Sequence, residues 1–109
     1  MGHSQQRHRE PEETAVEQLP VIQLLESTHH FPGPYMFKVI GRSENGFVAR
    51  VVAAVRDELS EPADPPFKVR ETAGGRHVAI TLDPTVQTAQ QVLAVYRRIQ
   101  RMAGLVVLW

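Results

Sequence analysis

The chain has 109 residues, of which 42% are hydrophobic, and this suits one domain with a modest core and a tail. Its 12 basic and 12 acidic residues balance, so no overall field draws the chain to nucleic acid or to an acidic membrane. There is no cysteine, which excludes a disulfide scaffold, thiolate metal sites and a cysteine nucleophile. The chain shows neither the apolar core of a signal peptide nor an apolar run of the roughly 20 residues that span a bilayer, so we expect a cytoplasmic protein.

The N-terminal segment, residues 1–19, is rich in Gln, His, Arg and Glu and poor in large apolar side chains. Such a segment buries too little surface to offset the entropy that is lost on ordering. We therefore predict a disordered tail over residues 1–19 and a folded domain over residues 20–109. The apolar residues between Pro20 and Ser27 predict only one or two helical turns.

The stretch from Phe31 to Gly41 predicts a strand with a proline-stiffened entry. From Tyr35 onward its side chains alternate between two faces of a sheet. One face receives Tyr35, Phe37 and Val39, and the other receives Met36, Lys38 and Ile40.

An amphipathic helix is predicted from Gly46 to Leu59, because apolar residues recur there at a spacing of four. We expect Ser43 or Asn45 to cap its N-terminus. Its buried stripe consists of Phe47, Val51, Val55 and Leu59.

The second half of the chain predicts a hairpin, a helix and a closing strand. Strands over residues 67–72 and 76–82 flank the Gly74-Gly75 turn, and the second of them turns Val78, Ile80 and Leu82 inward. Thr88 and Gln91 have the spacing of a capping box that opens the second helix, and residues 105–109 form the last strand. The buried stripe of the second helix consists of Val92, Val95 and Ile99. The order β-α-β-β-α-β predicts an α+β ferredoxin-like sandwich of two layers, with an antiparallel four-stranded sheet.

Several short motifs on these elements resemble the YbeD-like family of small bacterial proteins, whose function is not established. The resemblance covers residues 21–109. Its motifs are Leu24–Glu26, Phe31–Pro32, Phe37–Gly41, Val69–Arg70, Gly75–Thr81 and Tyr96–Arg97. The family is similar in fold to the ligand-sensing regulatory domains of some amino-acid biosynthetic enzymes, so the resemblance implies a ferredoxin-like fold and favours a regulatory role.

The candidate functional surface is the sheet face that the helices leave uncovered, which we call the open face. In the split βαβ arrangement the first and third strands lie in the middle of the sheet. The predicted open-face residues are Met36, Lys38, Ile40, Lys68, Arg70, His77 and Ala79. Thr81 and Thr72 lie on the same face. From the last strand, either Val106 and Leu108 or Leu105, Val107 and Trp109 complete it.

We expect a non-catalytic regulatory or adaptor module that docks a protein partner, or a second copy, on the open face. Met36, Ile40 and Ala79 would be buried against the partner, with Lys38 and Arg70 setting its orientation. The alternative is a small-molecule sensor, in which paired copies bind an anionic metabolite or amino acid at their interface. A third hypothesis is an enzyme whose site is completed by another chain.

Other classes of function lack the residues that they need. RNA-binding domains of this fold stack bases on aromatic side chains of the central strands, and here only His77 offers a ring at such a position. Adjacent His29 and His30 before a proline turn are more typical of capping or surface groups than of a metal site. No nucleophile-and-base motif or phosphate loop is present, and no cofactor is implied.

Overall fold

The computed structural model describes residues 10–72 and 74–109, with side chains for residues 19–72 and 74–109. The chain divides into two compact units between His30 and Phe31. The first unit contains helix α1 (Glu10–Thr28). Within the described part of the chain, no helix has both the length and the apolar character that crossing a membrane requires.

Helix α1 begins at Glu10, whereas the sequence led us to predict disorder through residue 19 and helical turns only from Pro20 onward. Residues 1–9 of that predicted tail lie outside the described residues. Residues 10–19 are rich in Glu, with Ala, Gln and Leu, all of which have high helix propensity, and Pro11 suits a first turn. A composition that is too polar for a packed core can therefore still favour a helix.

In its described residues, 31–72 and 74–109, the second unit contains six strands and two helices. They are β1 (Gly33–Pro34), β2 (Phe37–Arg42), α2 (Phe47–Glu58), β3 (Phe67–Glu71), β4 (His77–Leu82), β5 (Thr85–Val86), α3 (Ala89–Gln100) and β6 (Leu105–Leu108). Four of the strands form one antiparallel sheet in the order β3-β4-β2-β6. This confirms the predicted β-α-β-β-α-β order, with the first and third predicted strands in the middle. The short strands β1 and β5 form a separate two-stranded sheet, which we did not predict.

The core lies between the two helices and one face of the four-stranded sheet. Strands β2 and β4 alternate strictly between fully buried side chains and more exposed ones. The predicted core positions on both strands and both helices are confirmed as buried: Phe37, Val39, Phe47, Val51, Val55, Leu59, Val78, Ile80, Leu82, Val92, Val95 and Ile99. Because side chains alternate along a strand, the residues between these face away from the helices.

The predicted cap of helix α2 is wrong, whereas the predicted Gly74-Gly75 turn is confirmed. Helix α2 is not capped by Ser43 or Asn45: its N-cap is Gly46, at φ 65°, and no side chain caps it. Asn45 also has positive φ, 54°, so two left-handed residues in a row move the helix start past both predicted caps. The Gly74-Gly75 turn has the predicted positive φ angles, 87° and 70°.

The cap predicted for helix α3 at Thr88 is confirmed, but the return bond from Gln91 goes to the residue before the N-cap and not to the N-cap itself. The backbone N–H of Gln91 donates to Thr88 Oγ1 at 3.2 Å. The Gln91 side chain returns a hydrogen bond by accepting from the backbone N–H of Gln87 at 2.7 Å. The two bonds together fix where the helix begins.

Candidate functional site

Backbone pairing aligns the open-face side chains in two rows that run across the sheet from β3 to β6. The first row consists of Lys68, Thr81, Lys38 and Trp109. The second row consists of Arg70, Ala79, Ile40 and Val107. In both rows the β3 end is cationic and the β6 end is apolar.

A depression of about 460 Å³ lies over these two rows. It brings together five of the seven residues predicted for the site: Lys38, Ile40, Lys68, Arg70 and Ala79. Thr81 and Trp109 also line it. Ala79 and Thr81 have short side chains, so strand β4 forms the floor, while the longer side chains of the neighbouring strands form the walls.

The other two predicted residues lie on the same face but outside this depression. Met36 precedes β2, is 52% exposed, and lines a smaller depression of about 220 Å³ together with Asp83. His77 is paired with Arg42 at the opposite end of β2 and β4. The predicted set therefore lies on one face, but only its middle part forms one candidate site.

Among the described side chains, the cations of the depression have no acidic partner. Among the side chains of residues 19–72 and 74–109, ion pairs are formed by Arg42, Arg56 and Arg98, and none involves Lys38, Lys68 or Arg70. All three of these are exposed. Their charges are therefore available to an anionic partner, although salt screens charges at such a surface.

The sequence left the contribution of strand β6 open, and a register shift in its pairing with β2 settles it. Ile40 is paired with Val107, whereas the next residue, Gly41, is paired with Leu105, so Val106 is an extra residue. Val107 thus shares the open face with Ile40, and Trp109 shares it with Lys38, with which it exchanges backbone hydrogen bonds of 2.7 and 2.8 Å.

Two further residues lie on the open face: Arg42 was not predicted there, and Trp109 belonged to one of the two alternatives left open for the last strand. Arg42 extends β2 beyond the predicted end at Gly41 and adds a cation beside His77, paired with Glu44 at 4.0 Å. Trp109, 52% exposed, lines the depression at its apolar β6 end. Strand alternation alone could have identified Arg42, and it also places Trp109 on the same face as Val107; the bulge changes only the face of Leu105.

On the helix side of the sheet, an aromatic cluster joins the start of β2 to α3. The ring of Phe37 lies 4.9 Å from that of Tyr35 and 5.1 Å from that of Tyr96. The hydroxyls of Tyr35 and Tyr96 are 3.3 Å apart. Burial raises the pKa of the Tyr96 phenol, and the hydrogen bond with Tyr35 raises that pKa further.

A second depression, of about 440 Å³, lies on the helix layer. It is lined by Glu58, Ala94, Arg97, Arg98 and Arg101. Arg98 pairs with Glu58 at 3.3 Å, and the arginines stand at the C-terminal end of α3, where cations offset the helix dipole. In the described residues no cluster of three His, Cys, Asp or Glu side chains is placed to hold a metal ion.

The fold and its open face define a class of small ferredoxin-like α+β domain. The family described as "Protein of unknown function (DUF493)" matches residues 26–108, and the chain belongs to this family. This confirms the YbeD-like resemblance that we drew from the sequence.

One relative supports the family assignment, and one solved structure supports the fold. A "UPF0250 protein" of Chromobacterium violaceum is 30% identical over 66 residues, which is 61% of this chain and 74% of that protein. The crystal structure of the ACT domain from the GTP pyrophosphokinase of Chlorobium tepidum matches with a TM-score of 0.53 at 10% identity, covering 70% of this chain and 94% of that one. At this identity the structural likeness shows the fold alone, and it confirms the predicted ferredoxin-like class.

Proposed function

We propose that this domain is a non-catalytic regulatory or adaptor module that captures a protein partner on its open face. The structural neighbour is itself a domain of a larger enzyme, and by analogy of fold this favours a regulatory role. The residues of the open face favour partner binding more directly.

The observation that carries the proposal is the joining of exposed apolar side chains and cations in one depression. Trp109 and Val107 are 52% and 42% exposed on the same face as half-buried Ile40. Protein interfaces are enriched in aromatic side chains and arginine, with apolar contacts at the centre and polar groups at the rim. Here the apolar residues lie beside Lys38, Lys68 and Arg70, which would orient a partner.

The test is to capture partners from an extract of the cells that make the protein, using the full chain and two variants. Ile40→Glu places a charge in the middle of the open face. Ala49→Glu is the matched control, because it adds the same charge at an exposed position of helix α2, in the other layer. Circular dichroism and thermal unfolding establish that both variants are folded.

We expect proteins retained by the unaltered chain to be retained by Ala49→Glu and lost with Ile40→Glu. Quantitative mass spectrometry of the retained proteins measures this difference. Equal retention by a folded Ile40→Glu variant would contradict capture on the open face.

A second candidate function is the sensing of an anionic small molecule. It is favoured by the size of the depression, about 460 Å³, which lies in the range of small-molecule sites of about 300–1,000 Å³. A carboxylate or phosphate bound between Lys38, Lys68 and Arg70 would stabilise the folded state. We expect such a metabolite to raise the melting temperature of the unaltered chain and to leave that of Lys38→Ala unchanged. A broad panel of anionic metabolites with no shift would count against this function.

A further inference from the structure

The positive charge of the open face indicates which kind of partner surface can bind there. Lys38, Lys68 and Arg70 line the depression without acidic partners among the described side chains, and a second copy would bring the same three cations against them. Like charges placed face to face destabilise an interface, so two open faces do not suit each other. A partner with acidic side chains is complementary to this face.

The spacing of the cations matches a helix. Lys68 and Arg70 are two residues apart on β3, which places them about 6.8 Å apart along the strand. Carboxylates at positions i and i+4 of a helix are about 6 Å apart along its axis. One flank of a helix lying parallel to β3 can therefore place two acidic side chains opposite these two cations.

The separation of the strands on either side of β4 also suits a helix. The floor of the depression is strand β4, where Ala79 and Thr81 are short, and its walls stand on β3 and β2. Neighbouring strands are about 4.8 Å apart, so the backbones of β3 and β2 are about 10 Å apart, close to the 10–12 Å diameter of a helix with its side chains. The other flank of the helix then reaches Ile40 and Trp109, which are apolar.

An extended segment fits the face less well. Its backbone N–H and C=O groups need partners, whereas the open face offers side chains and the unpaired backbone groups of a sheet lie along its edges. A helix satisfies its own backbone groups and needs only side-chain contacts.

Resting on the proposed function, we propose that the open face binds an acidic amphipathic helix of the partner protein, lying along β4. Aspartates or glutamates at i and i+4 on one flank pair with Lys68 and Arg70. Large apolar side chains on the other flank pack against Ile40 and Trp109.

The test is selection from a displayed library of helical peptides with one face randomised, using the full chain as bait and the folded Ile40→Glu variant for counter-selection. A parallel selection uses the double variant Lys68→Glu/Arg70→Glu. Both substitutions lie at exposed positions of an edge strand, and circular dichroism checks that the fold is kept.

We expect the unaltered chain to enrich acidic residues spaced i and i+4, with apolar residues on the opposite flank. The charge-reversed chain is expected to enrich Lys or Arg at those same two positions. A selected acidic peptide should bind the charge-reversed chain about tenfold more weakly or worse, and the difference should shrink as salt is raised.

Enrichment without acidic residues, the same sequences from both baits, or no binders at all would overturn this inference. Its failure is distinguishable from that of the proposed function. If Ile40→Glu abolishes capture of the cellular partner but the library shows no acidic preference, only the acidic helix is refuted. If a folded Ile40→Glu variant captures normally, both proposals fall.

Discussion

Replacing Gly41 by alanine is expected to destabilise the domain, because the added methyl group would overlap the ring of Phe47. A Cβ atom built at Gly41 would collide with three atoms of that ring. The ring has little freedom to move away, since Phe47 is only 2% exposed. The Arg50 guanidinium lies 5.5 Å from the ring centroid, and Gly104 is close to another edge of the ring.

The size of the effect follows from two opposed contributions. The backbone of Gly41 does not have positive φ, so alanine can adopt it, and the loss of unfolded-state entropy favours alanine by about 0.4–1 kcal/mol. Overpacking a core costs about 1–3 kcal/mol, and expelling the ring would approach the roughly 3–5 kcal/mol of a Phe→Ala substitution. The steric contribution is the larger, so we expect a net loss of about 1–3 kcal/mol and a fall in melting temperature of roughly 5–20 °C.

Urea unfolding followed by far-ultraviolet circular dichroism measures this loss as a lower midpoint. The matched control is Phe47→Leu, alone and combined with Gly41→Ala. Because leucine lacks the ring atoms that collide, the alanine should cost less in the Phe47→Leu background than in the unaltered chain. A Gly41→Ala variant with an unchanged or higher midpoint would refute the reasoning, as would strictly additive costs.

Two further predictions concern local contacts. Thr88→Ala should lower the free energy of unfolding by about 1 kcal/mol in urea titrations, because the Gln91 N–H loses its cap, and Thr88→Ser should restore most of it; equal stability of both variants would contradict this role. Because burial raises the pKa of Tyr96, the neutral phenol contributes stability that is complete below its unfolded pKa of about 10 and is lost as pH rises through the higher folded pKa. Thermal unfolding from pH 8 to 12 should therefore show a steeper alkaline loss for the unaltered chain than for Tyr96→Phe, and parallel curves would show that the phenol is not linked to folding.

The sequence predicted the fold wherever a short-range pattern carries the signal. Strict alternation defined the buried sides of β2 and β4, and a spacing of three to four defined those of α2 and α3. The Thr88 cap and the Gly74-Gly75 turn are also set by local sequence, and both were predicted. The start of α1 was missed because polarity was taken as disorder, although glutamate-rich segments favour helix.

The candidate site was predictable to the same extent. Alternation placed Lys38, Ile40, Lys68, Arg70 and Ala79 on one face, but the depression that unites them depends on how four strands align. That alignment is set by backbone pairing between segments far apart in the chain. No local pattern reports it.

Strand β6 shows how the strand alignment, which the sequence did not predict, affects the candidate site. With a regular register, Gly41 would face Val106 and Leu105 would face Arg42, on the open face. The extra residue Val106 instead pairs Leu105 with Gly41 and turns it toward the helices, while Val107 and Trp109 remain on the open face. The register shift falls at Gly41, the residue against which the Phe47 ring packs. Gly41 therefore links the packing of the core to the face on which Leu105 lies, and a substitution there that disturbs the register would alter the open face as well as the stability.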